Sequence, residues 1–411
     1  MRLLTLTFLL LLPATAAPVD QPNSPSQRNK PYVLMIGLDG FRDDYAERFH
    51  AVNLLALRQR GSSSEHLIPV FPSVTFPNFY SIATGLQPER HGLVGMLFYD
   101  PARHSEFDFR LPIAHDSAWY GGTPIWVLGE RQGMRTASYF WVGSDVEIQG
   151  IRPASYVAYN TTATHQDRVR QVVEWFKLPD ERRPHLVMLY FADVDHAGHG
   201  FGPESPEVAA AVKAVDTTLG ILLQELRALR PQVNVIVVSD HGMDTVGKII
   251  DVGKDTDFPE MRIVNQQTQV ALYGTDPTVI EQTRNKLSRP DSEFKVYRRS
   301  ELPAHLHYSS NPRIGDLVIL PDGRDWVRIS MAGQEPHAAP KGWHGWDPAK
   351  VPTMHGIFYA AGPQIRAGLR LPPVANDAIY PLLTTLLGLT PPVDQPLNPE
   401  LLGILKKTRL H

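Results

Sequence analysis

The chain has 411 residues, an apolar fraction of 43% and a near-balance of 40 basic and 43 acidic residues. This length predicts two or three domain-sized units, and the apolar fraction is sufficient for a large core. The small net charge of −3 gives no reason to expect a nucleic-acid partner. Because the chain has no cysteine, a metal ion would have to be bound by His and carboxylate side chains.

Residues 1–16 have the pattern of a secretory signal peptide. Arg2 precedes a Leu-rich apolar run, and Ala14-Thr-Ala16 has the small residues of a cleavage site. The apolar run is too short to span a bilayer. We therefore expect an exported protein without a membrane anchor, and the lack of cysteine favours a bacterial periplasmic or secreted protein. Residues 17–30 are predicted to be a linker.

Three apolar segments, residues 32–38, 185–191 and 233–239, have the composition of strands that are buried on both faces of a parallel sheet. Carboxylate and imidazole side chains follow each segment closely, at the edge where open α/β sheets bind ligands. These side chains are Asp39, Asp195, His199, Asp240 and His241. Since helical patterns separate the strands, the chain is predicted to have an α/β fold with a doubly wound, mainly parallel sheet.

The predicted core is interrupted between residues 251 and 340. This stretch has two short strand patterns around one helical pattern. We predict that it forms a small α+β insertion, which caps the main sheet. The catalytic core would then consist of residues 31–250 and 341–411.

Asp195 and His199 are four residues apart in a glycine-rich segment. Both side chains could bind one ion if this segment forms a tight loop. His196 lies between them and could compete for that role. We rank it lower because, as the immediate neighbour of Asp195, its side chain should point elsewhere.

Thr75 lies between two prolines, Pro72 and Pro77. Proline fixes φ and removes a hydrogen-bond donor, so the segment is predicted to be a turn that enters a helix. The backbone N–H groups at such a position suit an anion. An ordinary Ser/Thr-rich turn without a function is the alternative interpretation.

Taken together, these segments resemble the type I phosphodiesterase/nucleotide pyrophosphatase family of the alkaline phosphatase superfamily. The resemblance covers nearly the whole chain after the signal peptide. Its most specific motifs are Pro72–Asn78, Gly85–Gly92, Ser239–Met243 and Gly342–Gly345. It implies an alkaline phosphatase-like core and an enzyme that hydrolyses nucleotide phosphodiester or phosphoanhydride bonds to a nucleoside 5′-monophosphate.

The resemblance also implies two zinc ions per subunit and a phospho-threonine intermediate on Thr75. Thr75 would be the nucleophile and would contact both ions. The six protein ligands would form two sets, with Asp195, His199 and His344 around one ion and Asp39, Asp240 and His241 around the other. His355 is an alternative to His344, because it also lies in a His-Gly loop.

Members of this family enclose the nucleobase between two aromatic rings. Phe76 matches one position and Tyr159 the other, with Tyr190 as the alternative to Tyr159. Because stacking tolerates any base, the selectivity among bases should be low. Met96 stands where the family has an Asn that donates to a phosphate oxygen, and the loss of such a donor can lower the rate by about 10²–10³. The backbone N–H of Phe76 could replace part of this contribution.

Two other functions remain open at this point. A phosphodiesterase that acts on lipid-like or choline esters would use the same metal site without base stacking. A zinc-dependent nucleotide-binding protein with weakened catalysis is the alternative outside the enzymes, and Met96 alone favours it. A phosphomonoesterase is disfavoured because no Arg or Lys lies among the proposed ligands.

Overall fold

The computed structural model describes residues 21–253, 258, 260–288, 292–330, 339–393 and 398–406. The predicted signal peptide and the first part of the predicted linker lie outside the described residues. Residues 21–30 pack against the domain through the buried side chain of Asn23. This side chain donates to the carbonyls of Asp180 and Arg183 and accepts from the backbone N–H of Arg135.

The strands of the described part are numbered in chain order. They are β1 (Tyr32–Leu38), β2 (Ser62–Ser64), β3 (Leu67–Ile68), β4 (Leu97–Asp100), β5 (Ser105–Asp108), β6 (Thr136–Tyr139), β7 (Ser155–Val157), β8 (Leu186–Phe191), β9 (Val233–Ser239), β10 (Ile249–Asp251), β11 (Arg262–Asn265), β12 (Val270–Tyr273), β13 (Phe294–Arg298), β14 (Leu317–Pro321), β15 (Trp326–Arg328), β16 (Phe358–Ala361), β17 (Leu369–Leu371) and β18 (Val374–Ala375).

The α-helices of the same residues are numbered likewise. They are α1 (Tyr45–Arg48), α2 (Val52–Arg60), α3 (Thr75–Thr84), α4 (Pro88–His91), α5 (Ile125–Arg131), α6 (His165–Lys177), α7 (Asp193–Phe201), α8 (Pro206–Arg227), α9 (Pro277–Leu287) and α10 (Ile379–Leu387). Within the described residues, no helix combines the length and the apolar character needed to cross a lipid bilayer.

The largest sheet has eight strands in the order β17-β2-β16-β9-β1-β8-β6-β7. Strand β16 is antiparallel to both of its neighbours, and the other neighbouring strands are parallel. Helices pack against this sheet, for example α2 against β16 and α6 against β6 and β8. The predicted α/β fold with a mainly parallel sheet is therefore confirmed.

The strand register brings the predicted site residues to one edge of the sheet. Leu38, the last residue of β1, pairs with Phe191 at the end of β8 and with Ser239 at the end of β9. The three strands therefore end at the same level. The chain segments that follow them therefore come together at the carboxyl ends of these strands. Open α/β sheets bind ligands at this edge.

A second sheet lies within the range predicted as an insertion. Its four strands have the order β11-β12-β14-β13, all pairs are antiparallel, and they share a separate apolar core with α9. Strands β11 and β13 have no counterpart in the sequence analysis. The exact boundaries of the insertion, 251 and 340, remain a prediction.

Candidate active site

One half of the candidate site is built by the residues that follow β1 and β9. The His241 Nε2 atom lies 3.4 Å from Asp39 Oδ1 and 3.0 Å from Asp240 Oδ2. All three side chains are almost completely buried. Gly40 lies between these segments with φ of +64°, and a Cβ atom there would come within 2.9 Å of the backbone of Asp195. The two halves of the site can approach this closely because residue 40 has no side chain.

The other half combines α7 with the loop before β16. The Nε2 atoms of His199 and His344 lie 3.3 Å and 3.5 Å from Asp195 Oδ1 and 3.2 Å from each other. The rings of His241 and His344 stack with centroids 3.6 Å apart, which joins this half to the first. The structure thus brings the six predicted ligands into one cluster.

The prediction of a tight loop around Asp195 and His199 is wrong, because this segment is helix α7. In a helix, residues four apart lie on the same face, so both side chains reach the same point. Asp193 and Asp195 in the first turn also favour the helix, since negative charge is stabilised at its N-terminus. His196 is exposed on a different face of this helix.

The three histidines of the cluster are oriented by backbone carbonyls. The Nδ1 atoms of His199, His241 and His344 lie 2.9 Å, 2.8 Å and 3.0 Å from the carbonyls of Gly342, Gly242 and Ser73, respectively. A carbonyl can only accept, so each Nδ1 carries a proton and each Nε2 faces the cluster, where it can offer a lone pair to a metal ion. Metal-binding histidines are held in this way by their second nitrogen.

The carboxylates of the cluster have oxygen atoms without partners. Asp39 Oδ1, Asp195 Oδ1 and Asp240 Oδ2 are buried and accept no hydrogen bond from any described residue. Burial and the neighbouring Asp240 raise the pKa of Asp39 well above its usual range, and burial and Asp195 raise the pKa of Asp240. Imidazole nitrogens and carboxylate oxygens that face each other at these distances are stabilised by a cation between them. The donor set therefore fits divalent metal ions.

The geometric grouping of the ligands differs in one respect from the predicted division between two ions. Ligand atoms of Asp39, Asp240 and His241 lie within 4.8 Å of one another, as predicted for one ion. The second such group consists of Asp195, His344 and again His241. His241 thus borders both positions, and the predicted assignment of His199 to the second ion stays a prediction.

Thr75 is the first residue of α3, as the proline pattern predicts. Val74 before it is extended, and its side chain does not accept a hydrogen bond from the first N–H groups of the helix. The Thr75 Oγ1 atom lies 3.4 Å from His241 Nε2. A hydroxyl at a helix N-terminus therefore borders the metal-binding cluster.

Met96 accepts the hydrogen bond of the Phe76 backbone N–H, which the sequence analysis expected to be available to a phosphate oxygen. The backbone N–H of Phe76 donates to Met96 Sδ at 3.3 Å. Thioether sulfur is a weak acceptor, so this bond is easily exchanged for a stronger one. The Phe76 amide is nevertheless directed at the sulfur.

A cavity of about 750 Å³ adjoins the cluster, and Thr75, Phe76, Met96 and Tyr159 line it. Tyr159 is 49% exposed, so its ring can contact a ligand. Arg110 also lines the cavity, and its guanidinium forms a bidentate ion pair with the carboxylate of Asp108. The two hydrogen bonds of this pair are 2.9 Å and 2.7 Å long.

Tyr190 has a different position from the one considered in the sequence analysis. Its ring is buried, and its hydroxyl donates to Asp39 Oδ2. It fixes a predicted metal ligand, and of the two tyrosines Tyr159 has the more open ring. The sequence offered no signal for this contact, because the two residues are 151 positions apart.

Two groups of cavity residues were missed in the sequence analysis. Phe109 is 41% exposed and its ring lies 5.7 Å from that of Phe76. The polar run 265–269, which leads from the end of β11 to β12 in the second sheet, also lines the cavity. The composition of this run, Asn-Gln-Gln-Thr-Gln, is a signal that could have been used.

His355, the alternative to His344, does not reach the cluster. Its ring lies 5.1 Å from that of His66, and its ligand atom groups with those of His66 and Asp43. His344 is therefore the histidine that the fold brings to Asp195.

An alkaline phosphatase-like α/β sheet with a buried Asp/His cluster and a threonine hydroxyl at its edge defines a class of metal-dependent hydrolases. Comparison with known proteins makes this class more specific. Residues 33–347 match the family model of the type I phosphodiesterase / nucleotide pyrophosphatase family. The chain belongs to this family, and the predicted enzyme class, a phosphodiesterase/pyrophosphatase hydrolase, is confirmed.

Curated proteins with pyrophosphatase/phosphodiesterase names are also similar in sequence to this chain. The chain is 37% identical to an uncharacterized pyrophosphatase/phosphodiesterase of Schizosaccharomyces pombe over 87% of this chain and 77% of that protein. It is 33% identical to ectonucleotide pyrophosphatase/phosphodiesterase family member 1 of Rattus norvegicus over 95% of this chain. The chain spans 44% of the length of the rat protein.

Solved structures of the family are similar in fold. Murine ectonucleotide pyrophosphatase/phosphodiesterase 5, as an inactive threonine-to-alanine variant in complex with AMP, superimposes with a TM-score of 0.84 and 28% identity. The match covers 92% of this chain and all of the murine chain.

Proposed function

We propose that this protein is a zinc-dependent nucleotide phosphodiesterase/pyrophosphatase, which releases a nucleoside 5′-monophosphate through a phosphorylated Thr75. The observation that carries the proposal is the position of the Thr75 hydroxyl at the start of α3, 3.4 Å from His241 Nε2. A hydroxyl is a weak nucleophile unless a base or a metal activates it. The cluster beside Thr75 offers the donor set for such a metal.

The proposed cofactor is a pair of zinc ions. Imidazole nitrogen and carboxylate oxygen are ligands that suit zinc, and the chain has no thiolate to offer. Zinc ions bound there would lower the pKa of a neighbouring hydroxyl and neutralise charge on the phosphoryl group. Asp39, Asp240 and His241 are proposed to bind one ion, and Asp195, His199 and His344 the other.

The reaction follows from the position of Thr75. Its oxygen forms a bond to phosphorus while the bond from phosphorus to the leaving oxygen breaks, and the hydroxyl proton passes to solvent. Water then cleaves the phospho-threonine ester, which restores Thr75 and releases the monophosphate. The N–H of Phe76 in the first turn of α3 would exchange Met96 Sδ for a phosphoryl oxygen and stabilise its charge.

The proposed substrate is a nucleotide whose base stacks between Phe76 and Tyr159. The rings of both residues line the cavity next to Thr75, and one of them is half exposed. The AMP complex of the murine structural neighbour supports a nucleotide ligand. Stacking recognises the face that all bases share, so base selectivity should be low.

Export is part of the proposal. The signal-like pattern of residues 1–16 supports it. The names of relatives also support it, since one group is described as ectonucleotide enzymes and another as venom phosphodiesterases. A periplasmic or secreted location agrees with the absence of cysteine.

The test is the hydrolysis of p-nitrophenyl thymidine 5′-monophosphate, compared with p-nitrophenyl phosphate and p-nitrophenyl phosphorylcholine. Thr75→Ala removes the proposed nucleophile. Thr84→Ala is the matched control, because Thr84 is a buried threonine at the other end of the same helix. Each protein is assayed as purified, after treatment with a chelator, and after zinc is restored.

We expect rapid hydrolysis of the thymidine diester that depends on zinc, survives in Thr84→Ala and disappears in Thr75→Ala. Full activity of Thr75→Ala would exclude the phospho-threonine intermediate. Preference for the choline ester would replace the nucleotide by the lipid- or choline-type substrate. Binding of nucleotide and zinc without turnover of any ester would identify a binding protein.

A further inference from the structure

Asp43, His66 and His355 form a second cluster of metal-binding side chains, and none of them belongs to the candidate active site. One ligand atom from each residue lies within 4.8 Å of the other two. Asp43 Oδ2 is 2.6 Å from His66 Nδ1, and the rings of His66 and His355 lie 5.1 Å apart at an angle of 38°. Two imidazoles and one carboxylate are a ligand set that binds zinc and related cations.

Two polar groups of this cluster have contacts within the described chain: His355 hydrogen-bonds to the backbone at Pro348, and His66 faces Asp43. His66 Nδ1 is a buried atom, and Asp43 Oδ2 lies 2.6 Å from it. Arg42, the neighbour of Asp43, donates instead to Asp44. An imidazole nitrogen and a carboxylate oxygen this close together are favourable only when a proton or a cation lies between them.

Backbone hydrogen bonds hold the three segments together next to each ligand. The N–H of Asp43 donates to the carbonyl of His355 at 3.1 Å. Leu67, which follows His66, and Gly356, which follows His355, donate to each other's carbonyls at 2.9 Å. The three side chains are therefore brought together by the fold itself, before any cation binds.

We propose that Asp43, His66 and His355 bind a divalent cation of the zinc type, separate from the catalytic cluster. The side chain of His66 is 37% exposed, so one side of the site is open to water as a further ligand. A cation that binds the folded chain and not the unfolded chain stabilises the fold.

The cation would link segments that also support the active site. Asp43 lies four residues after Asp39 in the segment that follows β1. The N–H of Gly242, next to His241, donates at 2.8 Å to the carbonyl of Met354, which precedes His355. Binding at this site should therefore restrain the segments that carry two of the proposed catalytic ligands.

The first experiment counts zinc ions per chain by elemental mass spectrometry, after equilibration at a series of buffered free zinc concentrations. The variants are His66→Gln and His355→Gln. The control is His305→Gln, because His305 forms an exposed pair with Asp347 and belongs to no three-residue metal group among the described residues. We expect each test variant to bind one zinc ion fewer than the wild type, and the control to bind the same number.

This difference does not depend on how many ions the catalytic cluster holds, so it is separable from the proposed function. Equal zinc counts in the wild type and both test variants, at every zinc concentration, would overturn the proposal. Should a variant fail to fold, a wild-type crystal grown with zinc decides the matter. Anomalous scattering at the zinc edge should show a peak about 2.0–2.1 Å from the two histidine nitrogens, and an empty position there would equally exclude the site.

Discussion

Replacing Met96 by Asn is expected to increase the rate of phosphodiester hydrolysis. Met96 Sδ accepts the hydrogen bond of the Phe76 N–H at 3.3 Å. In an Asn side chain, Oδ1 and Nδ2 are the same number of bonds from Cα as Sδ is in Met. Oδ1 can therefore replace the sulfur as the acceptor for Phe76, while Nδ2 adds a donor that faces the phosphoryl oxygen.

The expected magnitude follows from the number of donors gained, which is one. Loss of a single donor to a developing negative charge lowers kcat by about 10²–10³, or about 2.7–4 kcal/mol. Gaining one in a site that did not evolve around it should give the lower end of this range, an increase of about 10²-fold. The Phe76 bond to Oδ1 should prevent the new side chain from rotating away.

The assay is kcat for p-nitrophenyl thymidine 5′-monophosphate at saturating zinc. Met96→Leu is the matched control, because Leu keeps an apolar side chain of similar size and adds no donor. We expect the Leu variant to resemble the wild type and the Asn variant to exceed both. If Met96→Asn is no faster than Met96→Leu, the reasoning about the missing donor is refuted.

Three further predictions concern the surroundings of the site. Tyr190→Phe removes the hydroxyl that donates to Asp39, so the zinc concentration needed for half-maximal activity should rise by about 10- to 100-fold; an unchanged zinc dependence would show that Asp39 does not need this bond. Tyr159→Ala should raise KM for the thymidine ester by about 10-fold or more, because stacking contributes about 1–3 kcal/mol per base, and KM for bis-p-nitrophenyl phosphate, which has no base, serves as the control. Burial lowers the pKa of His91 to about 3, whereas an unfolded chain has a His pKa of about 6.5. Between these pH values the unfolded chain binds a proton that the folded chain does not, so the free energy of unfolding falls as the pH falls. Between pH 6.5 and pH 5, the free energy of unfolding measured by urea denaturation should fall by about 2 kcal/mol less in His91→Gln than in the wild type, since each pH unit contributes about 1.4 kcal/mol. An equal decrease in both proteins would contradict the low pKa of His91.

Much of the candidate site could be predicted from the sequence because its residue types lie next to strand ends. Asp39 and Asp240 directly follow apolar segments that fold as β1 and β9. A buried strand is recognisable from composition, and the edge at which parallel strands end is fixed by their direction. The proline pattern around Thr75 likewise predicts a helix start from local backbone constraints.

Other features depend on contacts between residues that are far apart in the chain. The carbonyl that orients His199 is 143 residues away, and the one that orients His344 is 271 residues away. The resemblance to the family favoured His344 over His355, but residue type did not distinguish them, because both lie in His-Gly loops and the path of the chain decides which one meets Asp195. The segment expected to be a loop is instead helix α7, since its packing against α8 outweighs the flexibility of its glycines.

The sequence by itself therefore determined the fold class, the family and the residue types around the candidate site, because these follow from local composition and short motifs. Only the tertiary structure decided which nitrogen of each histidine faces the cluster and that Tyr190 fixes Asp39. It also decided that Met96 takes the Phe76 N–H. These are matters of direction and distance between distant segments, which composition does not encode.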